Sequence, residues 1–300
     1  MFIKTMKYLK LIRIKNLLVM AMIQYLIRYS LLIPVYGKSN VLGDLNFALL
    51  LSSILMIAAG GYVINNYFDI QVDTENEKAL VGKSILRRIA LLLHIFLTAS
   101  GVILGFVIAS NVGFIGLGMI MIFSAYLLWE YNLRLKKRSV MRNLIIAILS
   151  AIFVAAIPVF EIFPKYHVEE SQHTLILIYM YSFFAFVCSL MHEIIKDFIS
   201  MEADKKFNKP SLPTQWGVEK TKEFVKWLSI ASICGIISII FSEFSTQLYL
   251  QIYAFSMLIL PLCILNIWIY KAKDVQDYMR ISKLNKFIIG AGISSMCFFI

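Results

Sequence analysis

Apolar residues along this chain gather into nine long runs, separated by short polar stretches that are mostly basic. The runs cover roughly 16–34, 46–66, 89–110, 112–129, 143–163, 174–195, 224–242, 246–269 and 284–300. An apolar run of about 18 or more residues is long enough, as a helix, to cross the hydrocarbon core of a bilayer. The pattern therefore predicts an all-α, polytopic membrane protein with about nine transmembrane helices. Only Ser110 and Asn111 break the third run from the fourth, so those two spans are expected to form a tight hairpin. No polar stretch is long enough for a separate soluble domain, and residues 1–300 read as one integral-membrane domain.

Charge gives this picture a direction. All but three of the 29 Lys and Arg residues lie before the first run or in the stretches that follow even-numbered runs. The exceptions are Arg28, Lys38 and Lys165. By the positive-inside rule the N-terminus and those stretches face the cytoplasm, and the chain belongs in the cell (inner, cytoplasmic) membrane. The net charge of +11 then needs no nucleic-acid partner. No small-residue cleavage site follows the basic start, so the first span is expected to be retained. The four cysteines (188, 234, 263 and 297) all lie in apolar spans without metal-ligand spacing, and buried free thiols are expected. Gly101-x-x-x-Gly105 reads as a close helix contact, and Pro158 and Pro261 as kinks.

Two acidic patches stand out on the basic side. The first ends the second span, with Asn65, Asp69 and Asp73 spaced i, i+4, i+8. If the helix continues past Asn65, these three oxygen-bearing side chains lie along one side of it. The second patch ends the sixth span. There Asp197 and Asp204 share a face, Glu193 lies one turn before Asp197, and Lys196 sits beside them. Carboxylates at a membrane helix end are costly unless they work. Mg²⁺ takes oxygen donors and substrate phosphates together, so paired patches suggest a metal and diphosphate site. The competing reading of each patch is a charged helix end that has reached water. The positions of the patches also hint at two four-helix halves plus a ninth helix. Repeats of that kind place a site where the halves meet.

These residues resemble the signatures of the UbiA superfamily of intramembrane prenyltransferases. The first family motif is matched at Asn65, Asp69 and Asp73, with Asn66 where the family often has Asp. The second is matched at Lys196, Asp197 and Asp204, but Ser200 stands where its middle Asp is expected. Tyr131 and Lys136, followed by Asn143, are similar to the family's loop after span four, and Arg13-x-x-Asn16 is similar to its first helix. His192 replaces a common Arg, and the family's Arg-Pro pair after the first motif is missing. Lys78, Lys83, Arg87 and Arg88 are the nearest substitutes for holding phosphate.

The resemblance implies nine helices around a central cavity and, there, transfer of an isoprenyl group, geranylgeranyl being one candidate, from an allylic diphosphate to a hydrophobic acceptor within the membrane. It implies Mg²⁺ held by Asn65, Asp69 and Asp73 and by Asp197 and Asp204. Asn16, Asn65, Tyr131, Lys136, Asn143 and Glu193 would bind substrate, and Lys136 and Lys196 would add positive charge. The Tyr131–Lys136 loop and the Arg13-x-x-Asn16 segment look most like the archaeal ether-lipid branch, whose acceptor is a lipid alcohol such as geranylgeranylglyceryl phosphate. An aromatic quinone precursor and a haem- or chlorophyll-type acceptor are the alternatives. No obligate protein partner is expected. A cation transporter would need ionisable residues at mid-membrane, and apart from Arg28 the span centres are nearly uncharged. A diverged binder of isoprenoid lipid without catalysis is the third reading, suggested by Ser200 and His192.

Overall fold

The computed structural model describes residues 2–36, 42–70, 80–165, 168–206 and 210–299. Among them nearly every residue is helical, and the β-structure consists of an isolated bridge between Val81 and Ile85. The chain divides into two compact units: Met1–Arg134 with Ala156–His167, and Leu135–Ala155 with Val168–Ile300.

The first unit opens with α1 (Phe2–Leu11) and α2 (Ile14–Leu26). Arg13 joins them in the left-handed region, at φ 52° and ψ 55°. That conformation is uncommon for a residue with a Cβ. A π-helical turn at Ile27–Leu32 carries α2 into α3 (Ile33–Tyr36). Then come α4 (Gly43–Phe68), α5 (Arg87–Asn111) and α6 (Gly118–Leu133).

Helices α4 and α5 pack closely because small residues line their seam. A Cβ on Gly101 would lie 2.8 Å from Ile57 and 2.9 Å from the Ser53 carbonyl, and Ser53 Oγ donates to the Gly101 carbonyl at 2.6 Å. Such backbone proximity needs glycine and is a common way to join helices in lipid. Arg28, given no role from sequence, is buried beside the start of α4. It donates to Asp44 Oδ1 at 2.8 Å and to the Gly43 carbonyl at 3.3 Å, and its guanidinium lies 4.3 Å from the Phe47 ring centre.

The second unit holds the start of α7 (Ser139–Ile162), then α8 (Val168–Lys206), α9 (Leu212–Trp216), α10 (Val218–Glu243), α11 (Leu248–Ala254), α12 (Leu260–Lys271) and α13 (Val275–Ser294). Its core joins Val187, Met191, Ile194 and Phe198 of α8 to Leu262 and Leu265 of α12 and to Tyr278, Ile281 and Ile288 of α13. Phe198 stacks on Tyr278 with ring centres 4.6 Å apart. Asp274 caps α13 by accepting the Asp277 N–H at 2.9 Å. The Lys273 N–H donates in turn to Asp277, which holds that carboxyl below its ordinary range.

Pro261 follows a second π-helical turn, Phe255–Ile259, as Pro34 follows the first. A proline lacks the N–H for an i−4 bond and its ring presses on that carbonyl. A wider turn just upstream relieves both, so the kink expected at Pro261 takes the form of a π-turn.

Among the described residues six segments are long and apolar enough to cross a membrane: Gly43–Phe68, Arg87–Asn111, Ser139–Ile162, Thr174–Lys205, Val218–Ser242 and Leu248–Lys271. The expected count of nine is not reached on those criteria. The runs near 16–34, 112–129 and 284–300 are mostly helical where described, but each falls short for a local reason. The first is divided by its π-turn, and α6 is left with 16 residues after the Gly113 turn at φ 81°. The last shares α13 with the charged residues Asp277, Arg280, Lys283 and Lys286.

Large apolar side chains such as Phe241, Tyr249 and Tyr270 point outward, a pattern that suits lipid and not water. The cysteines follow suit. All four are free, but only Cys188 is buried, while Cys234, Cys263 and Cys297 face outward. An apolar span lies inside a membrane without lying inside the protein, and this corrects the expectation of four buried thiols.

Candidate active site

Each unit carries one of the acidic helix ends. In the first unit α4 keeps its geometry just far enough to matter. The Asp69 N–H donates to the Asn65 carbonyl at 3.0 Å, and Asp69 closes the helix at φ −87° and ψ 6°. Asn65 and Asp69 therefore sit one turn apart on one side, both half-buried. Asp73 and Lys78 lie outside the described residues, so the third position of the motif is not described.

Tyr62, at i−3 and i−7 from that pair, shares their face. Its hydroxyl receives the Asn16 amide at 3.5 Å, and Arg13 lies 5.2 Å from its ring centre. The left-handed turn at Arg13 thus brings both polar residues of the first-helix motif beside α4. Asn66, where the family often has Asp, donates to the Tyr62 carbonyl at 2.8 Å and is committed to its own helix. Lys83, Arg87 and Arg88 are exposed.

An aromatic row runs away from the motif. Phe68 meets Trp129 edge-on at 6.3 Å, and Trp129 stacks on His94 at 5.6 Å. His94 Nδ1 lies 3.0 Å from the Gly60 carbonyl. A carbonyl only accepts, so that nitrogen carries the proton. The sequence reading missed this row; its one signal was a histidine in an otherwise apolar run. Tyr131 is half-buried in the last turn of α6.

The second acidic end is built differently. Asp197 is nearly sequestered, with 7% of its side chain exposed. Its Oδ1 accepts from Arg142 Nη2 at 2.5 Å, and its Oδ2 accepts from Asn143 Nδ2 at 2.8 Å and from the Leu212 N–H at 3.3 Å. Arg142 and Asn143 open α7, and Leu212 opens α9. A second link between those two helices runs from Ser139 Oγ to Gln215 Oε1.

Three residues on from Asp197, Ser200 Oγ donates to Asp204 Oδ2 at 2.8 Å, so the hydroxyl that replaces the expected carboxylate serves its neighbour. Asp204 is buried, whereas Glu202 is exposed. Lys196 pairs with Glu193 at 2.7 Å and remains about half exposed. Lys136 is half-buried in the short 3₁₀ turn Leu135–Lys137 that precedes α7. The structure thus joins Asn143 to Asp197 and Glu193 to Lys196. Among the described residues, no three His, Cys, Asp or Glu side chains converge as a metal cluster.

Comparison with known proteins gives this geometry a context. The chain is 27% identical over 278 residues to the digeranylgeranylglyceryl phosphate synthase of Methanothermobacter thermautotrophicus, covering 89% of each chain. It is 28% identical over 290 residues to the same synthase from Sulfolobus acidocaldarius, covering 94% of this chain and 95% of the other. Its fold matches a solved digeranylgeranylglyceryl phosphate synthase with a TM-score of 0.73 at 22% identity, covering 98% of this chain and 97% of that one. It also matches a UbiA homologue from Archaeoglobus fulgidus, solved bound to DMAPP and Mg²⁺, with a TM-score of 0.66 at 18% identity, covering 97% of this chain and 99% of that one. The sequence pattern of the UbiA prenyltransferase family matches residues 23–287, which is most of the chain. This protein is a multi-pass membrane prenyltransferase and belongs to the UbiA prenyltransferase family.

Proposed function

We propose that this prenyltransferase moves a geranylgeranyl-class isoprenyl group from its allylic diphosphate to a lipid alcohol such as geranylgeranylglyceryl phosphate. The observation that carries this reading is the oxygen pair of Asn65 and Asp69 at the broken end of α4. The choice of acceptor is supported by near full-length similarity to digeranylgeranylglyceryl phosphate synthases.

The residues at the end of α4 fit Mg²⁺. An amide and a carboxylate, one turn apart and half-buried, are hard oxygen donors of the kind this ion takes while keeping waters and phosphate oxygens. Asn65 and Asp69, with Asp73 by its spacing, would hold the ion in the first unit, and Asp204 would do so in the second. Bound there, Mg²⁺ would neutralise a diphosphate and stabilise the charge it gains on leaving.

The chain's own groups do the rest. Lys136 and Lys196 supply positive charge toward the departing diphosphate. Asn16, held on Tyr62, offers a neutral donor beside the first motif. Phe68 and Trp129, in edge-on contact next to the motif, would offer an allylic cation apolar aromatic surface in place of water. By the positive-inside rule, the spread of basic residues supports a cytoplasmic N-terminus and cytoplasmic acidic ends.

The test is a product assay in detergent with geranylgeranyl diphosphate, Mg²⁺ and four acceptors: geranylgeranylglyceryl phosphate, 4-hydroxybenzoate, a dihydroxynaphthoate and haem. Mass spectrometry should find one added isoprenyl unit on the glyceryl phosphate and none when EDTA is present. An adduct on an aromatic acceptor or haem instead would overturn the lipid-alcohol assignment.

A further inference from the structure

We infer that Asp197 is a positioning residue and not a metal ligand, and that Asp204, steadied by Ser200, is the metal-directed carboxylate of the second motif. This rests on the Mg²⁺-dependent reading above and departs from what motif spacing alone implies for Asp197.

A carboxylate offers two oxygens with about four acceptor positions. Asp197 spends three of them on protein donors, one a guanidinium, while almost wholly shielded from solvent. A divalent ion arriving there would meet a cation already in place. Displacing Arg142 would leave a guanidinium with 16% exposure without its counter-charge. Displacing Asn143 or the Leu212 N–H would leave a buried donor unmade, also at a cost. Mg²⁺ demands near-octahedral geometry and keeps several waters, and this crowded carboxylate leaves no such sphere. Asp204 differs. Among the described residues it accepts one neutral hydrogen bond, from a hydroxyl that can rotate. Glu193 is matched by Lys196 and Asp197 by Arg142, which leaves Asp204 as the buried carboxylate of this motif without a cationic partner among the described residues.

The clamp has a definite task. Arg142 and Asn143 stand in the first turn of α7, just after the turn that carries Lys136. The Arg138 N–H bonds Leu135 and the Arg142 N–H bonds Arg138, so the turn and helix form one continuous piece. Leu212 opens α9, which returns to α7 through Gln215 and Ser139. Asp197 thus fixes the Lys136 turn against the stretch of α8 that bears Lys196, Ser200 and Asp204.

The experiment titrates Mn²⁺, followed by electron paramagnetic resonance, into detergent-solubilised full-length protein with geranylgeranyl diphosphate present. Parent, Asp69→Asn, Asp204→Asn, Asp197→Asn and Arg142→Gln are compared, each first checked for a monodisperse folded species. The expected result is weakened Mn²⁺ binding in Asp69→Asn and Asp204→Asn and parental binding in Asp197→Asn and Arg142→Gln. Those last two should share a drop in kcat of roughly ten- to a hundredfold, typical of groups that orient a site, with the half-saturating Mg²⁺ concentration unchanged. Arg142→Gln alters no carboxylate, so its agreement with Asp197→Asn is the signature of a clamp. The proposal is overturned if Asp197→Asn loses Mn²⁺ as Asp69→Asn does, or if Arg142→Gln tightens Mn²⁺ by releasing a ligand. A parent that binds no Mn²⁺ would instead sink the metal-dependent reading. The clamp would then be decided by thermal unfolding of the Arg142→Gln/Asp197→Asn double variant. Losses no greater than the worse single change support it, and additive losses overturn it.

Discussion

The ends of α4 and α8 carry acidic motifs of similar spacing, yet the chain treats them as different materials. At α4 the helix ends at Phe68 with Asp69 as its cap, the pair with Asn65 is half-buried, and Asn16 and Arg13 meet Tyr62 on the same face. At α8 the helix runs on, and its first aspartate is enclosed by an arginine, an asparagine and a backbone N–H. Spacing places a carboxylate on a face, but burial and donors decide what it can bind. A carboxylate meant for a metal needs room for water and phosphate, whereas one meant to hold helices together needs its acceptor positions filled by protein.

The sharpest way to break this comparison is at α4. Asp69→Asn removes the carboxylate assigned to Mg²⁺ and should abolish prenyl transfer by a protein that still purifies as a folded, monodisperse species. Next is Asp197→Leu. It leaves the partly buried Arg142 uncompensated and should cost about 3 kcal/mol, read as a large drop in unfolding temperature. A helix seam away from both motifs gives a smaller effect. Gly101→Val would press a side chain into Ile57 and the Ser53 carbonyl, at a cost of about 1–3 kcal/mol by thermal unfolding and with no change in Mg²⁺ requirement. The smallest is Ser200→Ala, which removes one hydrogen bond to Asp204. It should cost about 0.5–1.5 kcal/mol and loosen the Mg²⁺ dependence of turnover slightly.

How much of this was legible in the sequence follows from the range of the interactions. Asn65 and Asp69 are neighbours through one helical turn, so their spacing announced them. The apolar runs announced the spans for the same reason, although local breaks at the π-turns and at Gly113 could not be counted in advance. The Asp197 cluster draws on donors 55, 54 and 15 positions away, which no periodicity connects. Asn143 stands out only through the family resemblance, and nothing in its spacing indicates that it faces Asp197. The stack of His94 on Trp129 likewise exists only because α5 and α6 pack together. Ser200 read as a loss from the motif, and only the structure shows its hydroxyl turned to Asp204.

The most direct test of the account is Mg²⁺-dependent transfer by the parent and by Asp69→Asn, measured side by side in one detergent. Geranylgeranyl diphosphate and geranylgeranylglyceryl phosphate would be supplied, and product counted by mass spectrometry over a Mg²⁺ series. The account predicts product in the parent that vanishes with EDTA, and none from a folded Asp69→Asn at any Mg²⁺ concentration. Parental transfer by that variant would contradict it.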